Sequence, residues 1–253
     1  MKRFILAFQF LTIIPIRTNG EVKRSDLSGS MAYFPFVGAF QGGLLFGLSR
    51  LLSLNNALPD FLVAGVLLFA LAVTNGGLHL DGFADTVDGL AGGRTPEERL
   101  RIMKDSSTGA VGMVFLIFII LLKYLALLGS LGLAGGAFVF LFPVAGRWAM
   151  VPLASLAPYA RKEGGLGEAF AGGKPGVLAA STLIAFSISY AAGGVSALAP
   201  LFLLAFAAFV SSVFFRARLG GVTGDVLGFQ SEVSEALYLL SAPVFLKALP
   251  ALL

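Results

Sequence analysis

Three aspartates, Asp81, Asp85 and Asp88, sit within the stretch His79-Leu-Asp-Gly-Phe-Ala-Asp-Thr-Val-Asp-Gly-Leu-Ala-Gly-Gly-Arg94. Their i, i+4, i+7 spacing puts all three carboxylates on one face of a helix. The whole chain has only 14 acidic residues, so the patch is concentrated. Like charges four residues apart destabilise a helix unless something offsets them. The simplest offset is a divalent cation held by oxygen ligands, and Mg2+ is the usual choice where phosphate is also bound. The plainer alternative is a solvated acidic helix face. His79 precedes the first aspartate by two residues. It either accepts a proton from an attacking hydroxyl or makes a structural hydrogen bond. Asp225, in Gly221-Val-Thr-Gly-Asp225, is either a fourth metal ligand or a cap of the last helix.

The elements that must position these groups are membrane spans. Of 253 residues, 57% are hydrophobic and 13% charged, against about 25% charged for a soluble domain. Mean hydropathy is +0.89. The composition indicates an all-α, polytopic membrane protein, one integral-membrane domain over residues 1–253. There is no cysteine, which excludes disulfides, a thiolate metal site and a thiol nucleophile. A single histidine excludes a zinc site built on several imidazoles. Apolar runs predict seven spans at about 31–52, 61–79, 111–128, 137–156, 177–192, 200–215 and 236–252, the last broken by Pro243. The N-terminal run, residues 4–16 after Lys2 and Arg3, resembles a signal peptide but is followed by Pro15, Ile16 and Arg17 instead of a small-residue cleavage site. It reads as a retained interfacial or re-entrant segment, too short to span comfortably. Thr95-Pro-Glu-Glu98 reads as a capping box that starts a short helix.

Charge then orients the chain. If each span crosses once, the loops at 17–30, 81–105, 158–176 and 216–235, with Lys2 and Arg3, share one side and hold 14 of the 18 basic residues. The loops at 53–60, 129–136 and 193–199 hold none. The basic face is therefore cytoplasmic. The aspartate patch lies on it, so carboxylates and basic side chains converge there. Metal plus a basic clamp is the recurring equipment of phosphoryl transfer. Within the spans, Arg147 calls for a cavity or a partner, while Lys123 and Lys247 read as snorkelling or paired.

The order His79-Leu-Asp-Gly-Phe-Ala-Asp-Thr-Val-Asp-Gly-Leu, then Arg99-Leu-Arg-Ile-Met-Lys-Asp-Ser106, then Gly109, closely resembles the cobalamin synthase family, the adenosylcobinamide-GDP ribazoletransferases. Phe10-Leu-Thr-Ile-Ile-Pro15 resembles that family's opening motif, and Gly221-Val-Thr-Gly-Asp-Val-Leu-Gly228 with Glu232 and Glu235 its closing one. One departure is Ser107-Thr108, where many relatives carry a basic residue. The resemblance implies transfer of α-ribazole, or its 5′-phosphate, onto adenosylcobinamide-GDP, with Mg2+ required and GMP released. It assigns Asp81, Asp85 and Asp88 to Mg2+, with Asp225 as a further ligand, and Asp85 and His79 to catalysis. It gives Arg94, Arg101 and Lys104 to phosphate, and Arg161 and Lys162 to guiding the nucleotide. Asn75, Asp105, Ser106 and Arg147 complete the expected substrate contacts. The partners implied are the two substrates and the lipid bilayer of the cytoplasmic membrane, with no nucleic acid; a homo-oligomer, or association with other cobalamin-assembly enzymes, stays open.

Three other classes fit less well. A CDP-alcohol phosphotransferase would show Ala-Arg between aspartate pairs, and Thr86-Val87 follows Asp85 instead. A cation-coupled transporter would place its site near the bilayer midplane, not at a basic interface. An intramembrane aspartyl protease needs Gly-x-Gly-Asp, and Val222 stands where its first glycine would be.

Overall fold

The structure is a computed structural model that describes residues 1–18, 20–54, 58–105 and 107–248. It is helical throughout: α1 (Lys2–Leu11), α2 (Arg24–Ser30), α3 (Phe34–Leu52), α4 (Asp60–Thr74), α5 (Leu78–Gly92), α6 (Pro96–Ile102), α7 (Ala110–Ser130), α8 (Ala137–Leu156), α9 (Pro175–Leu219) and α10 (Gly224–Ala248). Among the described residues, four helical runs are long and apolar enough to cross a membrane, Arg24–Leu52, Ala110–Ser130, Leu133–Leu156 and Pro175–Leu219, or five if the bent pair Asp60–Thr74 and Leu78–Gly92 counts as one. Helix α8 is apolar on all sides and forms the centre, with nearly all of its residues buried. Helices α3, α9 and α10 pack around it. Gly38 of α3 lets the two backbones meet: a methyl there would lie 2.6 Å from the Pro143 carbonyl oxygen.

Helix α9 is a hairpin. The 45 residues would make a straight rod about 67 Å long. The rings of Phe186 and Phe202 lie 5.4 Å apart, yet 16 residues of straight helix separate two points by about 24 Å. The chain reverses midway between them at Gly194, whose φ of 62° and ψ of −156° are open to glycine. The fifth and sixth expected spans are thus its two arms. The loop expected at 193–199 shrinks to this one reversal, because Pro200 and its neighbours are already helical.

Two other expectations change. The second span ends at Thr74, not at residue 79. Gly76 and Gly77 take φ of 63° and 74°, Asn75 Oδ1 accepts the Gly77 amide at 3.0 Å, and α5 leaves at 88° to α4. Helix α5 therefore does not prolong the α4 span. The last helix starts at Gly224 rather than at 236 and runs through Pro243 without a break. Its acidic residues made its first half read as a loop, but they are neutralised internally. Lys123 of α7 donates to Glu232 at 2.7 Å and also to Glu235, and Arg147 of α8 donates to Glu235 at 2.7 Å and to the Ser231 hydroxyl at 2.6 Å. All four charged groups are buried. Two cations meet two anions, so the cluster is neutral and pins α7, α8 and α10 together.

The N-terminal segment forms a short helix packed on the bundle. Helix α1 has ten residues, about 15 Å. Lys2 and Arg3 reach Asp26 at 3.3 and 3.8 Å, and the Ile13 amide donates to the Thr74 carbonyl at 3.0 Å. Both ends of α1 are thereby tied to the end of the bundle where α4 turns into α5. The capping box of α6 forms as expected, with Thr95 and Glu98 exchanging hydrogen bonds with each other's backbone.

Lys123→Met would leave two buried carboxylates with one cation. Breaking a buried ion pair costs about 3–5 kcal/mol, so the variant in detergent melts well below the parent. Adding Glu232→Gln restores part of the loss. An unchanged melting temperature for Lys123→Met would remove the cluster from the fold's essential contacts.

Candidate active site

Glycine decides where α5 runs. A methyl on Gly82 would lie 2.9 Å from the Asp225 Cα, and one on Gly228 would lie 3.2 Å from the His79 Cα. Helices α5 and α10 thus touch backbone to backbone, and their first turns bring His79, Asp81 and Asp225 together. A second strut fixes the facing loop. Tyr159 and Val222 form a parallel bridge, with the Ala160 amide donating to the Val222 carbonyl at 3.0 Å and the Val222 amide to the Pro158 carbonyl at 2.9 Å. This delivers Arg161 to Asp225, Nη2 to Oδ2, at 2.8 Å.

These groups enclose a cavity of about 230 Å³. Its lining includes His79, Asp81, Arg161 and Asp225 together with Phe10, Met150 and Tyr159. His79 is buried, and neither ring nitrogen has a hydrogen-bond partner among the described residues. Burial, aided by the charges of Arg147 and Lys123, holds its imidazole well below the usual range, so the ring is neutral. The Asp81 and Asp85 carboxylates make no side-chain hydrogen bond or ion pair to described residues. Burial and the neighbouring Asp81, Asp225 and Asp88 push the Asp85 carboxyl up to about 7, against the opposing pull of Arg161. Four carboxylates around one guanidinium is an arrangement short of positive charge.

The other candidates divide. Asp88 is structural. Its carboxylate accepts the Gly109 and Gly112 amides, each at 2.7 Å, and so caps the start of α7. Thr223, not Asp225, caps α10, its hydroxyl accepting the Val226 amide at 3.3 Å. Arg147, expected to touch substrate, is fully buried on Glu235 and Ser231. Asn75 holds the α4–α5 elbow. Asp105 accepts the amide and the hydroxyl of Ser107 at 3.0 and 2.7 Å. Lys104 meets Glu163 at 3.6 Å, both exposed. Arg94, Arg101 and Lys162 are exposed at the same end of the bundle. Ser106 lies outside the described residues. Among the described residues, no group of three or more His, Asp or Glu is close enough to hold a metal ion. Sequence reasoning missed Phe10, Met150, Tyr159 and Thr223. Phe10 stood in the opening motif and Tyr159 two residues before Arg161, but nothing local said that those segments meet.

Known proteins share this arrangement of motifs. The family model described as cobalamin-5-phosphate synthase matches residues 3–243. The chain belongs to the cobalamin-5-phosphate synthase family. A relative from Syntrophobacter fumaroxidans is 37% identical over 245 residues, 95% of this chain and 98% of its own. One from Pseudomonas syringae pv. syringae is 39% identical over 243 residues, with the same coverage. One from Geotalea daltonii is 36% identical over 246 residues, 95% and 96% of the two chains. Each is named adenosylcobinamide-GDP ribazoletransferase. No solved structure matches. The family match takes in every segment that lines the cavity: Phe10 of α1, the start of α5, Met150 of α8, the loop after it and the start of α10.

The close crossing gives a test in pairs. Gly82→Ala puts a methyl against the Asp225 backbone, whereas Gly43→Ala on α3 meets nothing within 4 Å. Overpacking costs about 1–3 kcal/mol, while an unhindered Gly to Ala change in a helix gains about 0.5–1 kcal/mol. Gly82→Ala therefore lowers the melting temperature, and Gly43→Ala leaves it level or raises it. Equal behaviour of the two variants would contradict the backbone contact.

Proposed function

We propose that this protein joins α-ribazole, or α-ribazole 5′-phosphate, to adenosylcobinamide-GDP, giving adenosylcobalamin, or its 5′-phosphate, and GMP. The observation that carries this reading is the end-to-end match to relatives of that name. The site supports it chemically. A ribose hydroxyl attacks the phosphorus that bears the cobinamide. The bond from that phosphorus to the GMP oxygen breaks, and GMP leaves with the electron pair. The hydroxyl proton passes to His79, whose ring is neutral and unpartnered. Arg161 holds the Asp225 carboxylate and faces the cavity. Arg94 and Arg101, exposed at the same end, are placed to meet phosphate oxygens from outside.

Mg2+ fits Asp81 and Asp85. Both are oxygen donors left without partners, and the ion needs only one or two protein carboxylates when water and phosphate complete its shell. That also accounts for the lack of a ready cluster of three ligands. When bound, the ion would neutralise charge developing on the pyrophosphate. Asp225, engaged by Arg161, and Asp88, engaged by the start of α7, stand behind them.

The chain is read as crossing the cytoplasmic membrane seven times, by α3, α4, α7, α8, the two arms of α9, and α10. The positive-inside asymmetry supports a site facing the cytoplasm. Helix α10 qualifies by length once its charges are counted as paired.

The assay is GMP release and cobalamin formation by the purified protein in detergent, from adenosylcobinamide-GDP and α-ribazole phosphate, against Mg2+ concentration. Asp81→Asn and Asp85→Asn each lower kcat/KM by about a hundredfold or more. Asp88→Asn shows mainly as a lower melting temperature. No metal-dependent GMP from folded wild-type protein would overturn the reading.

A pH series tests the carboxylates separately. The folded Asp85 pKa lies above its value of about 3.9 in an unfolded chain, so the folded state binds the extra proton. Without metal, its contribution to stability is lost as pH rises from about 4 to 7. Mg2+ binds the ionised form and reverses this. The rise in melting temperature on adding Mg2+ is therefore larger at pH 8 than at pH 6, and Asp85→Asn abolishes the difference. Equal rises at both pH values would remove Asp85 from the metal site.

A further inference from the structure

The cavity is lined in part by apolar and aromatic side chains for which the transfer chemistry has no use. Phe10 lines it from α1, Met150 from α8 and Tyr159 from the loop after α8. Phe10 is held rigidly. Its ring lies 4.4 Å from Phe170 and 6.1 Å from Phe34, nearly parallel to the latter at 13°, and both of those rings are buried. Tyr159 is held by the bridge to Val222. Met150 is buried, and its flexible thioether fits itself to flat apolar surfaces. His79 lines the same cavity, buried and with neither ring nitrogen partnered among the described residues. A buried imidazole without a partner is costly unless a ligand supplies one.

We propose that this cavity seats the acceptor, with the aromatic base of the riboside against Phe10, Met150 and Tyr159 and its ribose toward His79 and Asp81. The inference rests on the ribazoletransferase reading and divides the two substrates between two places. Size decides part of it. Pockets for drug-sized ligands run at about 300–1,000 Å³, so about 230 Å³ admits a heterocycle and its sugar but not a corrinoid. Polarity decides the rest. Guanine presents a row of donors and acceptors that would need partners; Phe10 and Met150 offer none, and the Tyr159 hydroxyl already donates to the Gly164 carbonyl at 3.4 Å. A neutral, weakly polar base loses little there and gains stacking. Adenosylcobinamide-GDP then lies outside the cavity, across Asp81 and Asp85 and under the exposed arginines. Its phosphorus meets the ribose hydroxyl at the mouth. The opening motif thereby gains a role, since Phe10 belongs to the acceptor site although it lies about 70 residues from the aspartates.

The test is binding of α-ribazole alone to the full-length protein in detergent, by equilibrium dialysis, together with both KM values. Loss of one stacking platform is worth about tenfold in binding. Phe10→Ala raises the α-ribazole Kd and KM by about that factor and leaves the KM for adenosylcobinamide-GDP within about twofold. Phe10→Leu keeps the apolar volume without the ring and shows the same split, which separates stacking from damage to the α1 packing. Met150→Trp, which fills the cavity, abolishes α-ribazole binding. A raised KM for adenosylcobinamide-GDP with α-ribazole unaffected would put the guanosine end in the cavity and overturn the assignment. So would wild-type binding in all three variants. Failure of the transferase reading looks different: the wild-type protein would then yield no cobalamin product whatever the variants bind.

Discussion

The contact between the backbones of α5 and α10 is the constraint on which the site depends. Gly82 and Gly228 remove the side chains that would otherwise hold the helices about 8–10 Å apart. Without that approach His79 would not be buried and Asp81 and Asp225 would not share a wall. The 88° elbow serves the same contact. Helix α4 runs with the bundle; α5 must lie across its end, and Asn75-Gly-Gly makes the turn. The glycines of the central motif are therefore packing residues, and the aspartates depend on them for position.

Beneath the site lies the neutral cluster of Lys123, Arg147, Glu232 and Glu235. It belongs to the same helices but acts differently. Charges buried in an apolar bundle are tolerable only when each meets its opposite. Their pairing sets the register of α10 against α7 and α8, and hence the height at which Asp225 emerges. Arg147 shows how one residue type serves two ends. Its charge is spent on Glu235, while Arg161, at the rim, keeps its face toward the cavity.

Much of this was legible in the residues. Composition indicates the helical class, and the spacing of Asp81, Asp85 and Asp88 points to the helix that lines the cavity through His79 and Asp81. What was not legible depends on tertiary partners. Asp88 has the same local context as Asp85, and only the approach of Gly109 and Gly112 makes it a cap. Glu232 and Glu235 made half of α10 look like a loop because their cations lie on other helices. The reversal at Gly194 looked like an ordinary turn of several residues, since a single glycine's backbone angles leave no trace in hydropathy. Phe10 and Tyr159 could not be assigned at all, because the bridge and the aromatic stack that aim them join distant segments.

That distance has a consequence for how the protein is made. The cavity draws one wall from the tenth residue and another from the two hundred and twenty-fifth. Chains emerge from the ribosome N-terminus first, at about 5–20 residues per second. Helix α1 is thus synthesised many seconds before the helix that completes its pocket. Until α10 arrives, α5 has no glycine-lined neighbour and Arg147 and Lys123 have no counter-ions. Until then the apolar interior holds two bare cations, and α10 is the helix that discharges them. Catalytic competence and electrostatic completion arrive together, with α10.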